Sequence, residues 1–572
     1  MPPMPPAPSS CSRSYARRLC DPRKNGVIDV TVEARGLEAE PGLSLFECAE
    51  RVGLPVASSC QSQGTCRECL VEIIEGADLL SPPTDRESHL RGEFRLACQA
   101  LLEAPHGRVA FRRLRRSDVR ILEEGRDLPP ATPVESLDPA VTRDGEQVLL
   151  EGTPVTRCTG PLHGLALDIG TTTVVVRLVN LETGAVVATQ SFENPQCFAG
   201  TDIMARIAAA ASDGEMRLQQ TLVGYVNQAI RRFPCHPEAI FELVVAGNPT
   251  MRDLFFGLDV QSLGQSPYRS TTETEREMGK RNGTSLLAPA CDLGLEVHPT
   301  ARAYGLPIIG SHVGADAAAC LLAIDALNED RLIALMDIGT NTEIVIGNRH
   351  RMLAASCPAG PAFEGGRVAC GVPAFPGAIE RVRLDDSGAV DYDVIGDGPA
   401  QGLCGSGLVD VLAELLRTGR MSPVGRIGGE RFVIDSQADV YLTEGDISQL
   451  AQAKAANAAG WRLITKAYGV DYVDIERFFL AGGFANHLDI EAATRIGLIP
   501  PVLHERIRTI GNAAIEGATL ALQSLTRRRT IEAFAERIEH FELETEPDFF
   551  DAFVEGCQFK PLRPNRPWHP IG

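Results

Sequence analysis

Four cysteines, Cys60, Cys66, Cys69 and Cys98, constrain the N-terminal part of this chain more than any other feature. Three stand as C-x5-C-x2-C in the run CQSQGTCREC, and the fourth returns much later. A metal cluster held by thiolates needs four sulfurs around a compact core, and a short loop supplies three of them. Ser58, Ser59, Ser62, Gly64 and Thr65 are small, so backbone N–H groups can approach the sulfides and tune the potential. Structural zinc usually shows two C-x2-C pairs where this loop has one, so zinc and unliganded thiols stand as the alternatives.

The flanking pattern is that of a small sheet on a helix. Residues 27–32 (VIDVTV) alternate as a strand. Residues 43–53 have helical spacing, with Leu45, Cys48, Ala49 and Val52 on one face, so Cys48 reads as core. Strands follow at 70–74 and 108–113. The basic run Arg112, Arg113, Arg115 and Arg116 reads as a solvated edge strand, with a dock for an acidic partner as the other reading.

Beyond this segment the pattern changes twice. Residues 117–160 are poor in apolar pattern, with linker-like DLPPATP at 127–133 and a short strand expected at 147–151. From 161 long apolar strands alternate with helices. D-I-G-T-x-T occurs at 168–173 and again at 337–342, an internal repeat that implies two related lobes, each opening with a hairpin. In such turns Gly lets the backbone approach a phosphate and Thr supplies donors. The Asp ends a buried strand and can hold a Mg²⁺-bound water or orient an attacking one. Singly, each Asp is equally a turn-former or a helix cap. A third glycine turn, AGGFAN, lies at 481–486. LCGSGLVD (403–410) puts Gly405 and Ser406 at a helix N-terminus, as an anion site or as close helix packing. Lys454 faces either nucleotide or solvent.

Bulk properties exclude several classes. A net charge of −20 argues against nucleic acid as the main partner. No apolar run approaches the ~18 residues of a membrane span. The start, MPPMPPAPSS, lacks the apolar stretch of a secretory signal. The 16 cysteines are scattered, which suggests reduced thiols and a cytoplasmic setting rather than a disulfide framework. Residues 1–25 are Pro/Ser/Arg-rich and read as a disordered arm, so Cys11 and Cys20 are not expected as ligands.

Residues 26–115 resemble a [2Fe-2S] ferredoxin domain of β-grasp fold, in the subgroup with C-x5-C-x2-C spacing. The repeated D-I-G-T followed by AGGFAN resembles the actin and sugar-kinase ATPase superfamily (ASKHA, ribonuclease H-like). That resemblance implies a first phosphate loop at Asp168–Thr173, with Gly170, Thr171 and Thr172. It implies a second at Asp337–Thr342, with Gly339, Thr340 and Asn341. It also implies an adenosine loop at Gly482, Gly483 and Phe484, and places Asp316 on the helix connecting the lobes.

The two halves together resemble one family, the reductive activators of corrinoid proteins. GNPTM (247–251), VGAD (313–316), CPAGPAFEGG (357–366), LCGSG (403–407), AGGFAN (481–486) and GNAAIEGA (511–518) carry the resemblance over roughly residues 26–525. It implies an α/β multidomain chain: an arm at 1–25, a ferredoxin domain at 26–116, a linker with a reduced middle segment at 117–160, and a two-lobed ATPase at 161–572. The lobes would span about 161–330 and 331–525, followed by a C-terminal extension. It implies an ATP-hydrolysing activase that passes one electron from a [2Fe-2S] cluster to reduce inactive Co(II) to Co(I). The partners implied are a corrinoid protein of a methyltransferase system and an upstream electron-donating reductase. Cys60, Cys66, Cys69 and Cys98 would carry the electron, and Asp168 and Asp337 would handle Mg²⁺ and water. The family's middle domain, which contributes dimer contacts, is expected to be trimmed here, so a homodimer is left open. The competing readings are a metabolite kinase with a redox-sensing ferredoxin, a non-catalytic ATP-binding redox switch, and a donor to another low-potential enzyme.

Overall fold

The computed structural model describes residues 27–33, 35–54, 56, 60, 62–65, 67–114, 116–117, 128, 136–211, 216–396, 398–483 and 485–564. The readings of the 1–25 arm with Cys11 and Cys20, of Ser58, Ser59, Cys66, Arg115 and Phe484, and of most of 117–135 fall outside the described residues. The chain divides into two compact units after Leu114.

The first unit is a five-stranded sheet in the order Arg35–Ala39, Ile28–Val32, Gly107–Arg113, Leu70–Glu75, Phe94–Leu96. Ile28, Val30 and Val32 point inward and alternate with Asp29 and Thr31, as a half-buried strand requires. One helix, Leu45–Arg51, starts where Ser44 and Glu47 close a reciprocal capping box, and it buries Leu45, Cys48 and Ala49. Burial pushes the Cys48 thiol up to about 11, in keeping with a core role. The basic strand corrects the sequence reading. Gly107–Arg113 lies at the centre of the sheet, parallel to Ile28–Val32 and antiparallel to Leu70–Glu75. Val109 and Phe111 are fully buried and favour partners on both sides. Arg112 is matched by Glu72 on the neighbouring strand and Arg113 by Glu33, just past the end of Ile28–Val32, and opposite charges across a sheet favour this register.

The second unit contains two sheets with the same core order. In one, Val186–Glu193, Thr173–Asn180, His163–Ile169, Ile240–Gly247 and Arg302–Gly305 lie side by side. In the other, Met352–Cys357, Thr342–Gly347, Ile333–Ile338, Arg477–Ala481 and Ile507–Gly511 repeat the arrangement. Each begins with an antiparallel three-strand meander and continues through parallel neighbours of its first strand. This is the ribonuclease H-like plan expected from the D-I-G-T repeat. The meander Val141–Asp144, Gln147–Leu150, Thr153–Arg157 precedes the first sheet, and Val141 and Val148 join a core shared with it.

Helices Ala315–Ala323 and Ala513–Gln523 cross between the two sheets. Their contact is made of small residues, and a Cβ on Gly517 would lie 1.9 Å from the carbonyl oxygen of Ala319. Only glycine permits that approach.

After 525 the chain folds back onto this unit. Glu539–His540 adds a strand beside Leu353–Ala354, and helix Phe549–Gly556 packs on the long helix Glu444–Tyr468. Lys454 is fully buried there. Its Nζ donates to the carbonyls of Gly556 and Gln558, the latter at 2.8 Å. Lys454 therefore faces neither nucleotide nor solvent. Burial presses its ammonium down to about 7, and neutral amine and ammonium alike can donate to both carbonyls.

Lys454→Ala leaves both carbonyls without that donor, so we expect a loss on the order of 2 kcal/mol. Residues 543–562 should then become the first site of limited proteolysis. Lys454→Met restores stem volume but not the donors, so its melting temperature should stay below wild type.

Candidate functional site

Two groups of side chains, one in each unit, have the makings of chemical sites. In the first unit, Cys69 precedes the strand Leu70–Glu75 and Cys98 follows Phe94–Leu96. These strands pair with Leu70 opposite Leu96, which brings the two sulfurs to 3.3 Å. Two thiolates on one tetrahedral metal, at metal–sulfur distances of ~2.3 Å, stand ~3.7 Å apart, so the pair fits a shared iron. The Cys98 side is fixed by a buried ion pair. Glu87 accepts from Arg95 at 2.8 Å and from the Leu96 N–H at 2.9 Å, while Arg95 also donates to the Ser81 carbonyl. Gln99 Nε2 reaches Cys98 Sγ at 3.4 Å and the Ser62 carbonyl at 3.0 Å, which ties the fourth ligand to the loop. Gly64 adopts a left-handed conformation in that loop, with Gln99 3.1 Å from where its Cβ would be. Cys60 is close enough to Cys98 to act on it electrostatically. Among the described residues no three metal-binding side chains gather as a closed site, and Cys66 would complete the set.

In the second unit the repeat brings the two predicted loops together. Asp168 and Asp337 occupy matching places near the ends of His163–Ile169 and Ile333–Ile338. After Asp168 the chain turns tightly: the Gly170 N–H donates to the Thr173 carbonyl at 3.0 Å, and a Gly170 Cβ would sit 2.7 Å from that oxygen. Thr172 and Thr340 approach to 3.2 Å between their hydroxyl oxygens, one from each lobe. Thr171 is held from behind, its hydroxyl accepting from Asn248 at 3.1 Å and its carbonyl from the buried Arg206. Asn194 holds the Gly170 carbonyl at 2.8 Å. Gly339 and Asn341 line the second turn, where a Gly339 Cβ would meet the Asn341 carbonyl at 3.2 Å. Ala481 stands opposite Asp337, so Gly482 follows directly beside the second loop. A Gly482 Cβ would be 2.2 Å from the Ile338 carbonyl, while Gly483 has open space.

Gly405 and Ser406 begin helix Gly405–Arg417, which packs against the turn Pro361–Glu364. Ser406 is 1% exposed, and a Cβ on Gly407 would lie 2.3 Å from the Ile379 carbonyl. Close packing is thus one role of this glycine run.

Three carboxylates, Asp168, Asp316 and Asp337, lie close enough to act on one another. Burial, with the nearby Asp337 charge, pushes Asp168 up to about 7 against the hold of Asn512, whose Nδ2 donates to its Oδ2 at 2.7 Å. Burial lifts Asp337 to about 6, with Cys320 donating to it at 3.5 Å. Asp316, in the first turn of the helix Ala315–Ala323, is raised by burial and by the other two charges. All three keep part of their surface open to water, which moderates the burial penalty. Like charges gathered this way favour a divalent cation. Among the described residues no three such side chains close directly on an ion, so Asp168, Asp316 and Asp337 would act on a cation only through its water shell. Sequence reasoning missed Asn512, Cys320 and Glu364. Asn512 lay inside the GNAAIEGA stretch, and Glu364 inside CPAGPAFEGG.

The raised carboxylates set a pH dependence. Between about pH 4 and 7 the folded chain retains the Asp168 proton while the unfolded chain has released it, so this group's contribution to stability falls as pH rises. We expect melting temperature without divalent cation to decline across that window. Asp168→Asn, whose amide oxygen still accepts from Asn512, should flatten the decline.

Residues 29–103 match the 2Fe-2S iron-sulfur cluster binding domain, 163–329 the RACo middle region, and 331–566 the C-terminal domain of RACo, the ASKHA domain. The corrinoid activation enzyme RamQ of Eubacterium limosum is 28% identical over 90% of this chain and 95% of its own. A [Co(II) methylated amine-specific corrinoid protein] reductase of Methanosarcina barkeri is 25% identical over 69% of this chain and 76% of its own. The solved structure of a reductive activator for a corrinoid, iron-sulfur protein superposes with a TM-score of 0.69 at 27% identity, covering 94% of this chain and 99% of that one. The chain belongs to the reductive activators of corrinoid proteins, with a 2Fe-2S ferredoxin domain ahead of an ASKHA domain.

Proposed function

We propose that this chain is an ATP-dependent reductive activator that returns the Co(II) of a corrinoid protein to Co(I) by delivering one electron. The observation that carries the reading is the pairing in one chain of a thiolate site with two opposed Asp-Gly-Thr loops. When bound, a [2Fe-2S] cluster supplies single electrons near ~−400 mV. Cys60, Cys66, Cys69 and Cys98 hold it. Gln99 donates toward the Cys98 sulfur, which favours the more negative state and tunes the potential upward.

Reduction to Co(I) asks for a lower potential still, and each ~59 mV uphill costs a factor of ten for one electron. Nucleotide binding offsets that cost only if it distinguishes two arrangements of the lobes, since equal binding to both shifts nothing. The first-loop residues Gly170, Thr171 and Thr172 and the second-loop residues Gly339, Thr340 and Asn341 meet across the lobes, so a triphosphate held by both favours closure. Asp168 and Asp337 keep Mg²⁺ and the attacking water in place, and Gly482 and Gly483 admit the adenosine side. Gly405 and Ser406 offer donors at a helix start. An upstream reductase refills the cluster. A cytoplasmic setting fits the reduced thiols, and no described helix is long and apolar enough to cross a membrane. A homodimer is left open, as in the sequence reading, and within 117–160 the meander over 141–157 belongs to the second unit rather than to a linker.

Anaerobic protein mixed with a Co(II) corrinoid protein and a reductant should develop the Co(I) spectrum only when ATP is added. Asp337→Ala should abolish this ATP-dependent change while leaving the cluster spectrum intact. Persistence of activation in Asp337→Ala would remove Asp337 from the mechanism. ATP turnover without cobalt reduction, across several corrinoid proteins, would favour the kinase or switch reading.

A further inference from the structure

Glu364 stands at the meeting point of the two phosphate loops. It ends the short turn Pro361–Glu364 that follows the strand Met352–Cys357. Thr172, from the first lobe, donates its hydroxyl to Glu364 Oε2 at 3.0 Å. Thr340, from the second, donates to the same oxygen. Those two hydroxyls are the side-chain donors that the D-I-G-T-x-T repeat brings together. A hydroxyl has one proton to give, so while both bond Glu364 neither serves a phosphate oxygen. A carboxylate and a phosphate here are like charges seeking the same donors, beside Asp337, which already repels Glu364.

The turn has the means to move. Gly360 and Gly365 flank Pro361–Glu364, both at positive φ, 77° and 87°, and glycine crosses such backbone regions readily. Gly360 donates its N–H to the Thr340 carbonyl at 2.8 Å, so the turn and the second phosphate loop are mechanically joined.

We propose that Glu364 is a built-in competitor for ATP: its carboxylate takes the place of the terminal phosphate at Thr172 and Thr340 and must leave for the triphosphate to seat. This rests on the nucleotide reading above and deepens it by naming what ATP displaces. The terminal phosphate is the group concerned because the threonines meet between the lobes beside the carboxylates suited to hydrolysis, whereas Gly482 and Gly483 open the adenosine side. ADP, lacking that phosphate, coexists with Glu364. The consequence is selectivity: closure on ATP is coupled to movement of 360–366, and ADP does not trigger it.

The test is equilibrium binding of a non-hydrolysable ATP analogue and of ADP, with Mg²⁺, to the full cluster-loaded chain. Glu364→Ala should bind the triphosphate analogue on the order of tenfold more tightly, the scale of one lost charged competitor. Its ADP affinity should stay within about twofold of wild type. Glu364→Gln keeps shape without charge and should fall between, and it decides the matter if the alanine variant melts early. Unchanged or weaker triphosphate binding, or an equal gain for ADP, overturns the competitor role while wild-type binding upholds the nucleotide site. No nucleotide binding by wild type or either variant overturns both.

Discussion

The contact between Gly517 and Ala319 governs the second unit. Two helices cross there with no side chain between them, because a Cβ at 517 would stand 1.9 Å from the Ala319 oxygen. Alanines at 315, 317, 318, 319, 514, 518 and 521 extend the seam. Two of the polar groups described above sit at the starts of those same helices. Asp316 lies in the first turn of one. Asn512 caps the other, accepting from the Ile515 N–H at 3.1 Å through its oxygen and giving its amide to Asp168. A single side chain therefore caps a helix and orients the Asp168 carboxylate, and its position depends on how closely the helices approach. Gly314 shows the same economy of space, since a Cβ there would meet Asn248 at 2.5 Å and Asp316 at 2.7 Å.

Electrostatics makes close helix packing matter here. Asp168, Asp316 and Asp337 repel one another, in a chain whose net charge is already −20. Left to themselves, such groups would separate or take up protons. The frame holds them together, and burial with their mutual repulsion favours the protonated forms. Arg206 plays a different part: it is buried and gives its donors to the Thr171 and Gly200 carbonyls, so it braces the turn that follows Asp168, and its charge acts on Glu364.

What could be read in the sequence follows from how local the signal was. The cysteine spacing and the D-I-G-T repeat are short-range patterns, and the structure builds a sheet for the first and two like sheets for the second. Long-range placements were not legible. The strand containing Arg112 looked like an edge because its charges suggested solvent, yet Glu72 on a neighbouring strand and Glu33 just past the end of another come to meet them. Lys454 looked exposed or nucleotide-facing because its partners, the Gly556 and Gln558 carbonyls, lie about a hundred residues away. Glu364 acquires meaning only once Thr172 and Thr340 have been brought together from different lobes. Cys66 and Phe484 belong to the sequence reading and lie outside the described residues.

The strand pairing beside the cysteine site has a consequence for assembly. Leu70 and Leu96 face each other across an antiparallel ladder, so Cys69 and Cys98 become neighbours by folding of the sheet rather than by the arrival of iron. Two of the four proposed ligands are thus brought together by the fold itself, and Gln99 already ties Cys98 to the Ser62 carbonyl. Iron insertion then resembles closing one short loop, whose entropy cost grows slowly with length, instead of joining four distant points of an unfolded chain. Maturation of the cluster should accordingly follow folding of the first unit, because Cys69 and Cys98 flank two paired strands.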